Sequence, residues 1–199
     1  MKTVSIIIAG VGGQGNIAAS KIIGEAAVRS GYDVKITETH GMAQRGGSVH
    51  SMIRFGKEVY SPLIPKGDAG YLVSLEYLEG LRWLSYLSEE AIILVSTEKR
   101  PPYLVSIGKA SYPENTEEVY SQFGKAIFIP ARELAIEAGS AKAANVVMLG
   151  ALSCFLKDIS SENLKEEIKR RFAGKDKLVE LNLKAFEIGR NFVRKDQEG

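Results

Sequence analysis

Two stretches carry residue types and spacings suited to chemistry. Gly10-Val11-Gly12-Gly13-Gln14-Gly15 satisfies G-x-G-x-x-G directly after the apolar run Val4–Ala9 and directly before a segment of helical periodicity. In that setting the first glycine permits the turn, the second lets a ligand approach the backbone, and the third lets helix and strand pack closely. The amides at the helix start carry partial positive charge, so the chemistry on offer is anion binding, foremost of a phosphate. The competing reading is that the glycines only permit a tight turn against a neighbouring subunit.

The second stretch is less generic. Glu38, Thr39, His40, Gln44 and Arg45 crowd into one loop that ends in Gly46–Gly47. A loop that only connected two elements would not need this density of hydrogen-bonding groups. Glu38 closes the second strand where a ribose-binding acid would sit. Arg45 can hold a phosphate or carboxylate through two parallel hydrogen bonds. His40 is the candidate acid or base, against the plainer reading of a structural hydrogen bond to backbone. Gln44 reads as a positioning residue. Loops at the carboxyl ends of parallel strands are where open α/β sheets bind ligands, so this loop is expected beside the glycine turn.

The elements that must position these loops follow from periodicity. Val4–Ala9 has the continuous apolar pattern of a strand buried on both faces. Asn16–Arg29 repeats apolar residues at helical spacing, and Tyr32–Thr37 alternates as a strand, so Val4–Thr37 reads as βαβ. Ser48–Phe55 reads as a strand turning at Gly56–Lys57 into Glu58–Tyr60, a hairpin. Strands are expected at Ala69–Val73, Ala91–Val95 and Ala126–Ile129, with helices at Leu75–Leu87, Val119–Phe123, Arg132–Ala138, Asn145–Leu156, Glu162–Phe172 and Asp176–Arg194. The expected fold is α/β and Rossmann-like: a mainly parallel sheet with helices on both faces, a β-hairpin and C-terminal helices, in one domain over residues 1–199. Asn145 is expected to cap its helix. The apolar character of the 145–156 and 178–193 helices exceeds what a small monomer must bury, which suits a partner-facing surface.

Composition narrows the class. Apolar residues make up 45% and charged residues 25% of 199, as in ordinary globular domains. A net charge of +2 argues against nucleic acid, and the Lys169–Arg171 cluster, beside Glu166 and Glu167, reads as a solvated helix face. The apolar start after Lys2 is too short for a membrane span and runs into Gly10–Gly13 without a cleavage pattern, so cytoplasm is the expected compartment. One cysteine, Cys154, allows neither an intrachain disulfide nor a self-contained iron–sulfur cluster or zinc knuckle, and reads as an inert core thiol. No metal site is expected in this chain.

Gly10–Gly15 (GVGGQG), Glu38–Val49 (ETHGMAQRGGSV), Asn145–Gly150 (NVVMLG) and Leu181–Gly189 (LNLKAFEIG) together resemble the gamma-type subunits of ferredoxin-dependent 2-oxoacid oxidoreductases, nearest to their indolepyruvate-oxidising branch. The likeness covers nearly the whole chain, and the pairing of the two loops makes it specific. It implies a complex that decarboxylates an aryl 2-oxoacid with thiamine diphosphate and Mg²⁺, passes electrons through iron–sulfur clusters to ferredoxin, and forms an acyl-CoA. It also implies that a larger catalytic subunit holds the thiamine diphosphate and clusters, while the two loops here face the thiamine site and the CoA approach. The residues agree with that division, because no Gly-Asp-Gly with a downstream Asn is present and Gly67–Asp68–Ala69 is only a partial echo.

Two other functions compete. A free-standing NAD(P)-binding oxidoreductase is supported by Gly10, Gly12, Gly15 and Glu38, but no substrate domain or catalytic pair follows. A purely structural assembly subunit predicts that the polar loop residues are replaceable.

Overall fold

The computed structural model describes residues 3–40, 47–101, 105 and 107–198. Its frame is one six-stranded sheet in the order β2-β3-β1-β4-β5-β6, built from β1 (Val4–Val11), β2 (Asp33–His40), β3 (Ser48–Gly56), β4 (Ala69–Ser74), β5 (Leu87–Ser96) and β6 (Lys125–Ile129). The pairs β1/β4, β4/β5 and β5/β6 are parallel, whereas β3 runs antiparallel to both β1 and β2. Among the described residues, helices α1 (Asn16–Arg29), α2 (Thr116–Ser121), α3 (Ala131–Ala138), α4 (Ala144–Leu152), α5 (Ser161–Arg171) and α6 (Asp176–Glu198) surround the sheet, with 3₁₀ helices at Glu79–Tyr86 and Ala141–Ala143. The Rossmann-like α/β expectation is met.

The two sheet faces are covered unequally. Ile6 and Ile8 of β1 and Ile53 and Phe55 of β3 face a thick layer containing α1, α4 and α6. Ile7, Ala9 and Met52 face a thinner layer, where Leu84 of the 3₁₀ helix and Tyr120 of α2 pack. This alternation of neighbours is the period-two consequence of a strand buried on both sides.

Four expectations are corrected. First, β2 is not the neighbour of β1, because β3 lies between them; the βαβ reading has the right direction but the wrong adjacency. Second, no Ser48–Tyr60 hairpin forms: β3 uses both its edges on β1 and β2, leaving none for Glu58–Tyr60. The Val59 amide instead donates to Asp33 Oδ2 at 2.9 Å. Third, the helix expected from Leu75 is only a 3₁₀ helix beginning at Glu79. The buried Glu76 carboxylate accepts from the amides of Leu78 (2.7 Å) and Glu79 (3.1 Å), an alternative to helical bonding just before that start.

Fourth, the apolarity around residue 145 is consumed within the chain. Every residue of α4 from Asn145 to Leu152 is buried, and α4 crosses α6 at two glycines. A Cβ on Gly150 would collide with the Phe186 carbonyl, and one on Gly189 with the Val147 carbonyl. That approach of two backbones lets α4 vanish beneath α6, where Ala185, Phe186 and Val193 are fully buried, although Leu178 remains 41% exposed. Cys154 lies beyond the end of α4 and is half-buried rather than sealed in a helix; burial pushes its thiol pKa up. No helix among the described residues is long and apolar enough to cross a membrane.

Candidate functional site

The glycine turn stands at the carboxyl end of β1, as expected, and much of it is held from inside. Gln14 Oε1 accepts from the Val11 amide (2.9 Å), while Nε2 donates to the Leu75 carbonyl (2.7 Å) and to Glu98 Oε2 (3.3 Å). That side chain is therefore a clamp between the carboxyl ends of β1, β4 and β5. Gly10 is needed because a Cβ there would stand 2.8 Å from Gln14 Oε1 and 3.1 Å from Leu75 Cβ. Gly15 has φ +86°, and a Cβ would stand 2.5 Å from Asn145 Nδ2. Only Gly13, also left-handed at φ +95°, is exposed with nothing within 4 Å. Of the glycines whose surroundings are resolved, two serve packing and one faces open space.

The second loop returns to the same place. The Gly12 amide donates to the Gly47 carbonyl at 2.9 Å, and Asn16 Nδ2 donates to the Val49 carbonyl at 3.0 Å, so the end of the polar loop is fastened to the glycine turn. Thr39 is exposed near the end of β2, and His40 closes that strand opposite Val49. Gln44, Arg45 and Gly46 lie outside the described residues. Glu38 departs from its expected role. Its Oε1 accepts from the Ser20 hydroxyl of α1 at 2.9 Å. Because β3 intervenes, it also stands two strand spacings, about 9–10 Å, from β1.

Between the glycine turn and the ends of β5 and β6 lies a cleft of about 190 Å³, lined by Gly13, Ser96, Glu98, Arg100, Arg132 and Lys142 among others. Arg100 pairs with Glu98 at 3.1 Å, whereas Arg132 and Lys142 are exposed. Asn145 does not cap α4; it is the second residue of that helix, and its side chain donates to the Gly15 carbonyl at 3.2 Å. α4 has no side-chain cap, but a 3₁₀ turn at Ala141–Ala143 runs directly into it and the Ala144 amide donates to the Ala141 carbonyl, so the positive character of the cleft comes from Arg132 and Lys142.

Glu76, 1% exposed, anchors the rear of this rim. Besides the two amides named above, it accepts from the Arg100 amide (2.9 Å) and the Tyr112 hydroxyl (3.0 Å). Burial, with the Glu76 charge beside it, raises the pKa of Tyr112 far above the ordinary tyrosine value. Lys99 Nζ stands 5.0 Å from the ring centre of Tyr77 and 5.3 Å from that of Tyr112.

Sequence reasoning missed Glu98, Arg100, Arg132 and Lys142. The signal available was position: Ser96 ends an apolar parallel strand, and residues just past such ends line the ligand edge of an α/β sheet. Among the described residues no group of three or more His, Cys, Asp or Glu could hold a metal ion.

The profile of the pyruvate ferredoxin/flavodoxin oxidoreductase family matches residues 5–192. The chain is 41% identical over 194 residues, 95% of each protein, to the indolepyruvate oxidoreductase subunit IorB of Thermococcus kodakarensis. It is 31% identical to the ketoisovalerate oxidoreductase subunit VorA of Methanothermobacter thermautotrophicus, aligning over 98% of this chain but 38% of that one. A 2-oxoglutarate:ferredoxin oxidoreductase from Magnetococcus marinus, solved with 2-oxoglutarate, coenzyme A and succinyl-CoA bound, superposes with a TM-score of 0.76 at 25% identity, covering 98% of this chain and 32% of that one.

Proposed function

The chain belongs to the pyruvate ferredoxin/flavodoxin oxidoreductase family, and from that premise we propose that it is the small subunit of a 2-oxoacid ferredoxin oxidoreductase acting on an aryl pyruvate such as indolepyruvate. The larger subunit carries thiamine diphosphate with Mg²⁺ and the iron–sulfur clusters. This chain completes the active site from the side of its two glycine loops, and the complex reduces ferredoxin while forming an acyl-CoA. The donor chemistry here supports that division, since one cysteine in 199 residues cannot ligate a cluster that needs several thiolates.

The observation that carries the reading is the cleft at the carboxyl edge. At about 190 Å³ it is smaller than a pocket that encloses a whole ligand, which runs to roughly 300–1,000 Å³. It fits one part of a ligand whose remainder rests on a partner. Arg132 and Lys142, beside the exposed backbone at Gly13, are suited to a phosphate of CoA. Gln14 and Glu76 fix the backbone around the cleft, at Val11, Leu75, Leu78, Glu79 and Arg100. Thiamine diphosphate supplies the carbanion chemistry from the partner; the residues here bind, orient and enclose.

The NAD(P) reading loses its main support with Glu38, which is bonded to Ser20 and separated from β1 by β3. Calorimetric titration giving micromolar affinity for NADH would restore it. The proposed reading is tested by steady-state kinetics on complexes rebuilt with Arg132→Ala and Lys142→Ala. The expected outcome is a KM for CoA raised by about tenfold or more, from loss of charge-assisted contacts of roughly 1.5–3 kcal/mol, with the KM for the 2-oxoacid unchanged. An unaltered KM for CoA would remove the cleft from the active site.

A further inference from the structure

At the outer edge of the sheet, two strands from β1, a larger open groove of about 1470 Å³ runs between α1, β2 and the junction of α5 with α6. Its apolar lining includes Val34 and Ile36 of β2, together with Val28 at 60% and Leu178 at 41% exposure. Its rim is cationic: Lys21 from α1 faces Arg170, Arg171 and Lys175. Of the two lining carboxylates, Glu25 and Glu167, the latter is buried and held by Arg29 Nε at 2.7 Å. None of the ion pairs among the described residues involves Lys21, Arg171 or Lys175. The basic cluster is solvated as its sequence suggests, with Lys169 paired to Glu166, and its Arg170 and Arg171 also line the groove.

Beside the groove lies β2, eight residues long, paired on one side only. A long edge strand presents a row of backbone donors and acceptors to any passing chain, and proteins blunt such edges with charged side chains, proline or a bulge. Asp33–His40 contains no proline and pairs with β3 in unbroken register, and its charges are engaged within the chain, Lys35 by Asp33 at 2.7 Å and Glu38 by Ser20 at 2.9 Å.

We propose that this groove seats an extended acidic segment of the larger subunit, added to the sheet as a strand beside β2. Its apolar side chains lie over Val28 and Leu178, and its carboxylates meet Arg171 and Lys175. Strand addition supplies affinity through main-chain hydrogen bonds and specificity through alternate side chains. Charge decides the occupant. A second copy of this chain, docked through the same groove by two-fold symmetry, would set the cationic rim against itself. In the longer relatives, moreover, the counterpart of this chain is continuous with a larger polypeptide. The inference rests on the proposed function, because it needs a larger subunit to exist.

The test is titration of the purified larger subunit with the wild-type chain, with Val28→Asp and with Arg171→Glu/Lys175→Glu, alongside hydrogen exchange of the wild-type chain free and assembled. These three side chains are exposed, so thermal melts of the free variants should match wild type. Assembly should weaken by about tenfold or more in each variant, with the charge-reversed one losing its sensitivity to salt. Amides of residues 33–40 should exchange more slowly in the complex. Unchanged affinity, or no new protection at 33–40, overturns the proposal while leaving the functional reading intact. Self-association of the free chain that Val28→Asp abolishes overturns it in favour of a second copy. Failure of the wild-type chain to assemble with any thiamine-binding subunit overturns both.

Discussion

At the scale of single residues, the glycine motif serves a different purpose from the one its pattern suggests. Gln14 uses its side-chain amide inside the protein, and Gly10 and Gly15 make room for neighbours, leaving Gly13 as the open point. A pattern of residue types cannot reveal this, because the partners of Gln14 at Leu75 and Glu98 are 61 and 84 residues away. We propose that the polar loop, whose Gln44, Arg45 and Gly46 lie outside the described residues, also contributes to binding. Arg45→Ala in the rebuilt complex is expected to lower turnover or weaken substrate or CoA binding by roughly 10- to 100-fold, the range of a lost two-pronged charged contact. The free subunit should melt as wild type, and Arg45→Lys should rescue only in part, since an ammonium restores charge without the planar fork. Unchanged kinetics with Ala would remove this loop from the active site, and a collapsed melt would make Arg45 structural.

The tyrosines behind the rim set an alkaline limit. Burial, with the Glu117 hydrogen bond next, moves Tyr77 from 10.0 to about 12. Burial foremost also raises Tyr120. A pKa raised on folding means that the native state holds its proton longer than the unfolded chain does. The stability from Tyr77 is therefore fully present below pH 10 and is lost as pH rises through about 12. Denaturant midpoints should fall across that window, and Tyr77→Phe, which cannot ionise, should flatten the decline. An equal decline in that variant would place the alkaline limit elsewhere.

At the scale of elements, the parts written locally were legible and the parts written by long-range pairing were not. The apolar runs of β1, β5 and β6 and the spacing of α1, α5 and α6 announce themselves within a few residues. The insertion of β3 between β1 and β2 does not, because a strand's choice of partner is settled by residues distant in sequence: β3 pairs with β1 over residues 4–11. The misjudged apolarity of α4 has the same origin: a helix apolar all round is buried somewhere, and its sequence does not say against what. The answer is α6, through Gly150 and Gly189. Gly150→Ala would drive a methyl group into the Phe186 carbonyl, with backbone on both sides and no side chain to yield. A cost of about 3 kcal/mol is expected, seen as a melting temperature lowered by roughly 6–12 °C. A shift of a degree or two would show that the helices can part cheaply.

Taken whole, two concave surfaces stand out among the described residues, a small cationic cleft at the carboxyl edge and a larger apolar groove at the β2 edge, and we propose that a partner completes both. The purified chain alone is accordingly expected to be colourless and unable to oxidise any 2-oxoacid, and to gain activity only on addition of the larger subunit. A visible iron–sulfur absorbance band in a clean preparation of this chain would overturn the division of labour.

The place of β1 in the sheet also bears on how the chain leaves the ribosome. β1 is made before both of its neighbours, β3 and β4, which begin at residues 48 and 69. Until they emerge, the fully apolar Ile6, Ile7 and Ile8 have no strand to pair with, and the nascent chain carries an exposed sticky segment. The earliest sheet partners available to each other are β2 and β3, separated only by residues 41–47. Synthesis thus builds an outer hairpin before its centre, and β1 joins by closing a loop of more than thirty residues. Substitutions that weaken the β2–β3 pairing, such as Thr37→Gly, should slow refolding, whereas equal damage between β5 and β6 should mainly hasten unfolding.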